Sequence, residues 1–127
     1  FRVIVLRTAG REAELLRVYP KPWFVAAPLV LAVCAVPAEA WVRGRYDGWS
    51  AAETDATIAT DHMLLAAADR GLGTCWVAAF DPAAARAFLA LPDGVVPVAF
   101  TPLGWPAEGP APKERRPLEE LVRYDRW

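Results

Sequence analysis

The sequence contains few of the residues that build disulfide scaffolds and metal sites, with only two cysteines and one histidine. Cys34 and Cys75 lie 41 residues apart, each within an apolar run. A disulfide-stabilised fold needs more cysteines, and a zinc site needs a cluster of ligands. The pattern therefore predicts two reduced, buried thiols in a cytoplasmic protein, and it predicts no metal site.

A long hydrophobic run and an excess of one charge are also missing. Fourteen basic and fifteen acidic residues give a net charge of -1, so we expect neither nucleic acid nor a membrane surface as a partner. The longest apolar run, Phe24 to Val36, contains Pro28 and is too short to span a bilayer as a helix. Hydrophobic residues still make up 55% of the chain. Part of that excess is expected to lie on a surface that a second copy covers.

The length of 127 residues fits one domain with a substantial core. The chain begins at Phe1 rather than at a methionine, and it begins inside an apolar strand pattern. We therefore expect residues 1–127 to form a single domain that is incomplete at its N-terminus.

The first half of the chain predicts two strands around a short helix. The β-branched stretch from Phe1 to Arg7 indicates a strand, and Gly10 to Val18 indicates a helix. The continuous apolar run from Pro28 to Cys34 is typical of a central strand that is covered on both faces. A loop with three aromatic residues follows over 37–49.

A long helix is predicted from Ser50 to Arg70. Ser50 and Glu53 have the spacing of a capping box, and Gly71 is placed to end the helix in the left-handed conformation. Ile58 and Leu65 lie seven residues apart on one stripe. Because the helix is long and rich in alanine, we expect it to be central, packed on several sides and shared at a dimer interface.

The second half predicts two further strands and two helices. Thr74 to Phe80 indicates a third strand or an extended turn, and Asp81-Pro82 begins a helix that runs to about Leu91. Val95 to Leu103 indicates a fourth strand, and the residues from Gly104 to Pro112 are irregular and are expected to reach across a surface. A short helix is predicted over residues 118–121. The mixture of strands and unequal helices favours an α+β fold, with a mixed β-sheet flanked by helices.

The other candidate motifs favour structural roles. Gly71-Leu72-Gly73 is not a dinucleotide fingerprint, because Trp76 occupies the third glycine position and the glycines follow a helix. His62 lies in mid-helix, where packing or an interface hydrogen bond is more common than catalysis. Asp55, Asp61 and Asp69 on the same helix are typical of a solvated helix face. We therefore name no catalytic acid or base.

A basic pair near the C-terminus is the residue pattern that most suggests a ligand. Residues before prolines are extended, and Pro112 and Pro117 bracket this segment. In an extended chain Lys113 and Arg115 would point the same way, with Arg116 opposite. Two converging cations can clamp a phosphate. A solvated basic cluster is the alternative that composition alone favours.

Four pieces of the chain together resemble the nitroreductase family, in the family's order. They are the helix Trp49…Asp55-Ala56…Leu64-Leu65-Ala66-Ala67, then Gly71-Leu72-Gly73-Thr74-Cys75-Trp76, then Phe80-Asp81, and finally Pro97…Pro102-Leu103-Gly104-Trp105-Pro106-Ala107…Lys113-x-Arg115-x-Pro117-Leu118-Glu119-Glu120. Each piece is weak alone, but the ordered set from Trp49 to the end is specific. The family's stretches before the first strand, an arginine- and serine-containing phosphate motif and an Asn-x-Gln-Pro-Trp-like segment, do not occur here.

The resemblance implies a homodimer that binds FMN at the subunit interface, with the long helix in that interface. It implies ping-pong hydride transfer through flavin N5, from NADH or NADPH to nitroaromatics, quinones or similar small-molecule acceptors. Lys113 and Arg115 match the family's basic pair on the flavin phosphate. Val77, Ala78 and Ala79 match the segment along the flavin ring, where the backbone N–H groups of the two alanines would lie near N5 and O4. Two alternatives remain open: a flavin-binding or interaction protein without turnover, and a specialised branch that fragments flavin or dehalogenates substrates.

Overall fold

The computed structural model describes residues 1–127. Its strands are β1 (Arg2–Arg7), β2 (Leu29–Ala35), β3 (Gly73–Thr74) and β4 (Val96–Gly104). Its helices are α1 (Glu12–Val18), α2 (Pro22–Ala26), α3 (Ala52–Asp69), α4 (Pro82–Leu89) and α5 (Leu118–Leu121), with a 3-10 turn over Pro37–Glu39. The predicted α+β fold is confirmed. None of the helices has both the length and the apolar character that crossing a membrane requires.

The four strands form one sheet in the order β1-β2-β4-β3, and every neighbouring pair is antiparallel. The expectation of a mixed sheet was therefore wrong. The strands β2 and β3 do point the same way, but β4 lies between them. Likewise, β1 and β4 run in the same direction, but β2 lies between them. No parallel pair forms, because the strands that share a direction are never neighbours.

The central strand is β2, as the apolar run predicted. Val33 pairs with Val3 of β1 and with Ala99 of β4, and it is fully buried. The ladder shifts at the next residue, where Cys34 pairs with Pro97 and skips Val98. Proline has no N–H to donate, and a bulge lets a strand pass such a position without losing its pairing partner.

Helices cover both faces of the sheet, and each face has its own core. On the face of α1, α2 and α4, the largest fully buried side chains are Phe24 and Phe100, whose rings meet edge to face. On the other face, Ala52 and Ala56 of α3 pack with Val33. Fully burying a phenylalanine stabilises the fold by roughly 1.5–3 kcal/mol, so the first core contributes most. The small alanines let α3 lie close to the sheet.

The predicted capping box at the start of α3 does not form. Ser50 pairs with Val42 in an isolated β-bridge, and its Oγ accepts a bond only from the Ala52 N–H, at 3.3 Å. The N-cap residue is Ala51, and no side chain caps the helix. Ser50 is held in an extended pairing, so the helix begins too late for Glu53 to complete the box. The predicted left-handed end at Gly71 is confirmed, with φ of 71°.

Only one face of α3 is packed within the chain. Ile58 and Leu65 lie on the opposite face, where they are 50% and 62% exposed. His62 is also exposed on this face and has no hydrogen bond. The expectation that α3 would be packed on several sides is therefore wrong for the single chain, because the sheet covers one side and no other element covers the outer one.

The region after α3 is less regular than predicted. Strand pairing covers only Gly73–Thr74, and an isolated bridge joins Val77 to Phe100. The predicted start of α4 at Asp81-Pro82 is confirmed, but α4 ends at Leu89, since Ala90 adopts a left-handed φ of 48°. Arg86 holds the turn that follows, where its guanidinium donates to the Pro92 carbonyl at 3.1 Å.

The two cysteines differ, which corrects the prediction that both are buried. Cys34 is fully buried in β2, whereas Cys75 is exposed. Burial raises the pKa of the Cys34 thiol, and Arg86 lowers it by a smaller amount. Cys75 is exposed because it follows the two-residue edge strand β3, beyond which no strand covers it.

Trp105 to Trp127, which we call the C-terminal arm, is exposed at every residue. The predicted short helix is present as α5. Beyond Pro106, the arm's hydrogen bonds join residues of the arm to one another, as in the bond from Val122 N–H to the Leu118 carbonyl at 2.8 Å. The irregular stretch after Gly104 was expected to reach across a surface; it starts against β3, where Pro106 lies beside Gly73, and beyond Pro106 it makes no hydrogen bond with the rest of the chain.

Candidate functional site

The segment from Val77 to Asp81, which we call the 77–81 segment, is fixed at both ends by backbone hydrogen bonds. The Val77 N–H donates to the Phe100 carbonyl, and the Phe100 N–H donates to the Val77 carbonyl, each at 2.9 Å. At the other end, the Asp81 N–H donates to the Val18 carbonyl at 2.8 Å. The segment is therefore tied to β4 on one side and to the end of α1 on the other.

Between these two ties, three consecutive backbone N–H groups have no acceptor within the chain. They belong to Ala78, Ala79 and Phe80. Both alanines are exposed. Backbone N–H groups are obligatory donors, so an unpaired run of them on a fixed segment is available to a ligand. The small alanine side chains leave room for a flat ring to approach the backbone.

Asp81 connects this segment to α4. Its Oδ1 accepts hydrogen bonds from the N–H groups of Ala83 at 2.8 Å and Ala84 at 3.0 Å. Pro82 occupies the first turn, where a missing N–H has no cost. The sequence predicted this cap because Asp followed by Pro is the common start of a helix. One residue thus holds the end of the segment and the start of the helix.

Aromatic packing against the core holds the segment in place. The ring of Phe80 packs edge to face on that of Phe100, with 4.9 Å between centroids, and Phe100 packs in turn on Phe24. Val77 is buried beside them, at 3% exposure. Both of its backbone groups are already bonded to Phe100, so Val77 holds the segment in place while its neighbours carry the free donors.

Lys113 and Arg115 lie on the C-terminal arm and are exposed to solvent. Neither forms a hydrogen bond or a salt bridge. The chain's two salt bridges are elsewhere, at Arg2–Glu39 and Arg43–Asp47. The two cations therefore stay unneutralised by any carboxylate of the chain. The structure does not bring them into contact with the 77–81 segment, and their role as a phosphate clamp stays a prediction.

A groove that the sequence did not reveal lies beside β3. Its volume is about 480 Å³, and its lining includes Trp23, Pro28, Cys75, Trp105 and Pro106. The close approach of chain segments forms its floor, because a Cβ at Gly104 would lie 2.8 Å from the Pro28 ring. The indoles of Trp23 and Trp105 are exposed. The sequence signal that could have indicated this groove is a tryptophan beside a proline, which occurs at both Trp23 and Trp105.

The remaining polar residues of α3 do not converge. Asp55, Asp61 and Asp69 are exposed, as a solvated face predicts. No group of three or more histidines, cysteines, aspartates and glutamates is placed to hold a metal ion.

Comparison with known proteins gives consistent matches. The sequence pattern of the nitroreductase family matches residues 5–105. A Methanothermobacter thermautotrophicus protein with the provisional name NADH dehydrogenase/NAD(P)H nitroreductase is 28% identical over 116 residues, which is 87% of this chain and 58% of that protein. An NADH dehydrogenase of Thermus thermophilus is 40% identical over 63 residues, which is 50% of this chain and 31% of that protein. The chain thus spans less than two-thirds of these relatives.

Solved structures agree over nearly the whole chain. A nitroreductase family protein from Clostridium difficile has a TM-score of 0.89 and 31% identity, and the match covers 99% of this chain and 74% of that one. The hypothetical oxidoreductase YcnD from Bacillus subtilis has a TM-score of 0.82 and 26% identity, with 99% and 57% covered. From the match over residues 5–105 and this structural agreement, we conclude that the chain belongs to the nitroreductase family.

Proposed function

We propose that this chain is part of an FMN-dependent oxidoreductase that takes electrons from NADH or NADPH and passes them to a nitroaromatic, a quinone or a similar acceptor. The observation that carries the proposal is the run of unpaired N–H groups at Ala78, Ala79 and Phe80, on a fixed segment of a nitroreductase-family chain. Names given to the relatives, which include NAD(P)H nitroreductase and NADH dehydrogenase, support the choice of reductant.

The residues present fit a flavin ring. FMN, when bound, supplies the two-electron chemistry that amino-acid side chains lack. Ala78 and Ala79 would donate backbone hydrogen bonds near N5 and O4, and their methyl groups are small enough for close approach. Fixed donors of this kind stabilise charge without reorganising, which is why the ties at Val77 and Asp81 matter.

The phosphate would be held by Lys113 and Arg115. The argument is electrostatic, since both side chains are cationic, exposed and unpaired in the chain. Guanidinium and ammonium groups form charge-assisted hydrogen bonds to phosphate oxygens, and two of them on one side of an extended strand can act together. The arm that carries them must then fold towards the bound cofactor.

We propose that the working unit is a cytoplasmic homodimer. Two observations support a second copy of the chain as partner. The outer face of α3 exposes Ile58 and Leu65, and the C-terminal arm exposes Leu118, Leu121 and Trp127. Exposed apolar side chains grouped on one face are typical of a surface that a partner covers. An isologous dimer is the commonest way to cover it.

The test uses the purified intact protein. Its visible absorption spectrum is recorded before and after anaerobic addition of NADH, and separately of NADPH. We expect a flavin spectrum that bleaches with at least one of them. A flavin spectrum that persists with both would instead support the flavin-binding protein without turnover. A protein that binds no added FMN would contradict both functions.

A further inference from the structure

The free N–H groups of the 77–81 segment depend on how the segment ends. Ala78 to Phe80 could turn inwards and bond to their neighbours if the Asp81 end were loose. Two sets of contacts hold this end. The Asp81 N–H donates to the Val18 carbonyl at 2.8 Å, and the Asp81 carboxylate accepts from Ala83 and Ala84 in α4.

Asp81 therefore occupies a junction of three elements. Its backbone belongs to the 77–81 segment, its N–H is tied to the end of α1, and its side chain begins α4. The carboxylate is exposed and forms no salt bridge, so its bonds are the two to the helix N–H groups. If those two bonds were lost, the start of α4 would be held less firmly, and the segment end would keep only its backbone bonds to Val18 and Ala85.

From these contacts we infer that Asp81 is a positioning residue for the cofactor, a role that rests on the proposed FMN function. Asp81 does not touch the flavin. It acts through the donors of Ala78, Ala79 and Phe80, by keeping them unpaired and at a fixed distance from the bonded pair Val77 and Phe100. The flavin's affinity and its reduction potential then both depend on the Asp81 side chain.

The experiment compares three variants of the intact protein. Asp81→Ala removes the cap. Asp81→Asn keeps an acceptor at the same position, and asparagine caps helices about as well as aspartate. Ala87→Gly weakens α4 in an exposed position far from the cap, by an amount similar to the loss of a cap, and so controls for general destabilisation. Melting temperatures show which variants are folded. They also show whether Asp81→Ala and Ala87→Gly lose a similar amount of stability.

Three properties are measured: FMN affinity by fluorescence titration, the absorption bands of bound FMN, and its reduction potential. We expect Asp81→Ala to raise the Kd for FMN about tenfold, or about 1.4 kcal/mol. We also expect it to shift the absorption bands and lower the potential, since fixed donors stabilise the added electron density. Asp81→Asn should stay within about twofold of the wild type in Kd. Ala87→Gly should melt earlier but keep the wild-type spectrum and potential.

The outcomes separate this inference from the proposed function. Wild-type protein that binds no FMN would overturn both. Wild-type protein that binds FMN, beside an Asp81→Ala variant with unchanged spectrum and potential, would overturn only the positioning role. The same conclusion follows if Ala87→Gly alters the spectrum and potential as much as Asp81→Ala does, because the effect would then come from helix stability alone. If Asp81→Ala does not fold, failure of Asp81→Asn to keep the wild-type spectrum would also overturn it.

Discussion

Val77 and Phe100 exchange both of their backbone hydrogen bonds at 2.9 Å, although Val77 lies three residues beyond the end of β3. This isolated pair fixes the start of the segment that carries the free N–H groups. It also places the Phe80 ring on the Phe100 ring, within the main core. A single bridge to β4, beyond the two-residue pairing of β3, therefore fixes the start of the candidate flavin site.

Removing a donor from the segment should matter more than changing a side chain. Ala79→Pro removes the N–H, whereas Ala79→Gly keeps it. We expect the proline variant to slow flavin reduction by on the order of 10²-fold, as for loss of one fixed donor, and the glycine variant to behave like the wild type. The same pair is made at Ala78. Stopped-flow reduction by NADH is measured beside thermal stability. If both proline variants fold and reduce flavin at the wild-type rate, the segment does not contact the ring.

The basic pair predicts unequal effects of two neighbouring arginines. Arg115 shares a face with Lys113 in an extended chain, and Arg116 does not. Arg115→Ala should therefore weaken FMN binding by about 1.5–3 kcal/mol, or roughly ten- to a hundredfold, while Arg116→Ala has little effect. The measurement is an FMN titration at constant ionic strength. Equal losses in the two variants would contradict the extended geometry.

The exposed face of α3 predicts a dimer that a single charge can weaken. Leu65→Glu places a carboxylate where we expect the partner chain to lie, next to Ile58. Fully burying a leucine stabilises an interface by roughly 1.5–3 kcal/mol, and the symmetric dimer contains the site twice. We expect dissociation to monomers at micromolar concentration in sedimentation experiments. Ala87→Glu adds the same charge at an exposed position of α4 and should leave the dimer intact. Loss of the dimer in both variants would indicate a general charge effect.

The two cysteines should differ in reactivity. Cys34 is buried and its thiol pKa is raised, so the reactive thiolate is scarce there, while Cys75 is exposed. A colorimetric thiol reagent at neutral pH should modify one thiol per folded chain quickly, and the second only in denaturant. Cys75→Ser should abolish the fast reaction. A fast reaction that survives in Cys75→Ser would show that Cys34 is accessible.

An ion pair in the loop before α3 predicts how the stability of the folded chain changes with pH. The Arg43 guanidinium donates to both carboxylate oxygens of Asp47, at 2.9 and 2.6 Å, and it holds the pKa of that carboxyl below its usual range. The stabilisation by this pair is present above the ordinary pKa of aspartate. It is lost as the pH falls through the lowered value. An NMR titration should show a higher Asp47 pKa in Arg43→Gln, whereas an unchanged pKa would mean that the pair does not form in solution.

Local signals in the sequence were sufficient to predict several secondary-structure elements. Asp81-Pro82 contains everything that starts α4, because a cap needs only the residue and the N–H groups two and three positions later. Gly71 ends α3 for an equally local reason, its freedom to adopt positive φ. The apolar run before Cys34 predicted the central strand, since burial on both faces demands unbroken hydrophobicity. The family resemblance likewise rests on short motifs, and the family match over residues 5–105 confirmed it.

The tertiary structure decided what depends on distant partners. Ser50 has the sequence of a cap, but its pairing with Val42 holds it extended and moves the start of α3. Cys75 lies in an apolar run, yet it is exposed because no strand lies beyond β3. Neither the order nor the direction of the strands could be predicted from the sequence, since β4 lies between β2 and β3 and every neighbouring pair is antiparallel. The free donors of Ala78 and Ala79 depend on ties to Phe100 and Val18, residues far away in the chain, and only the folded structure brings those partners together.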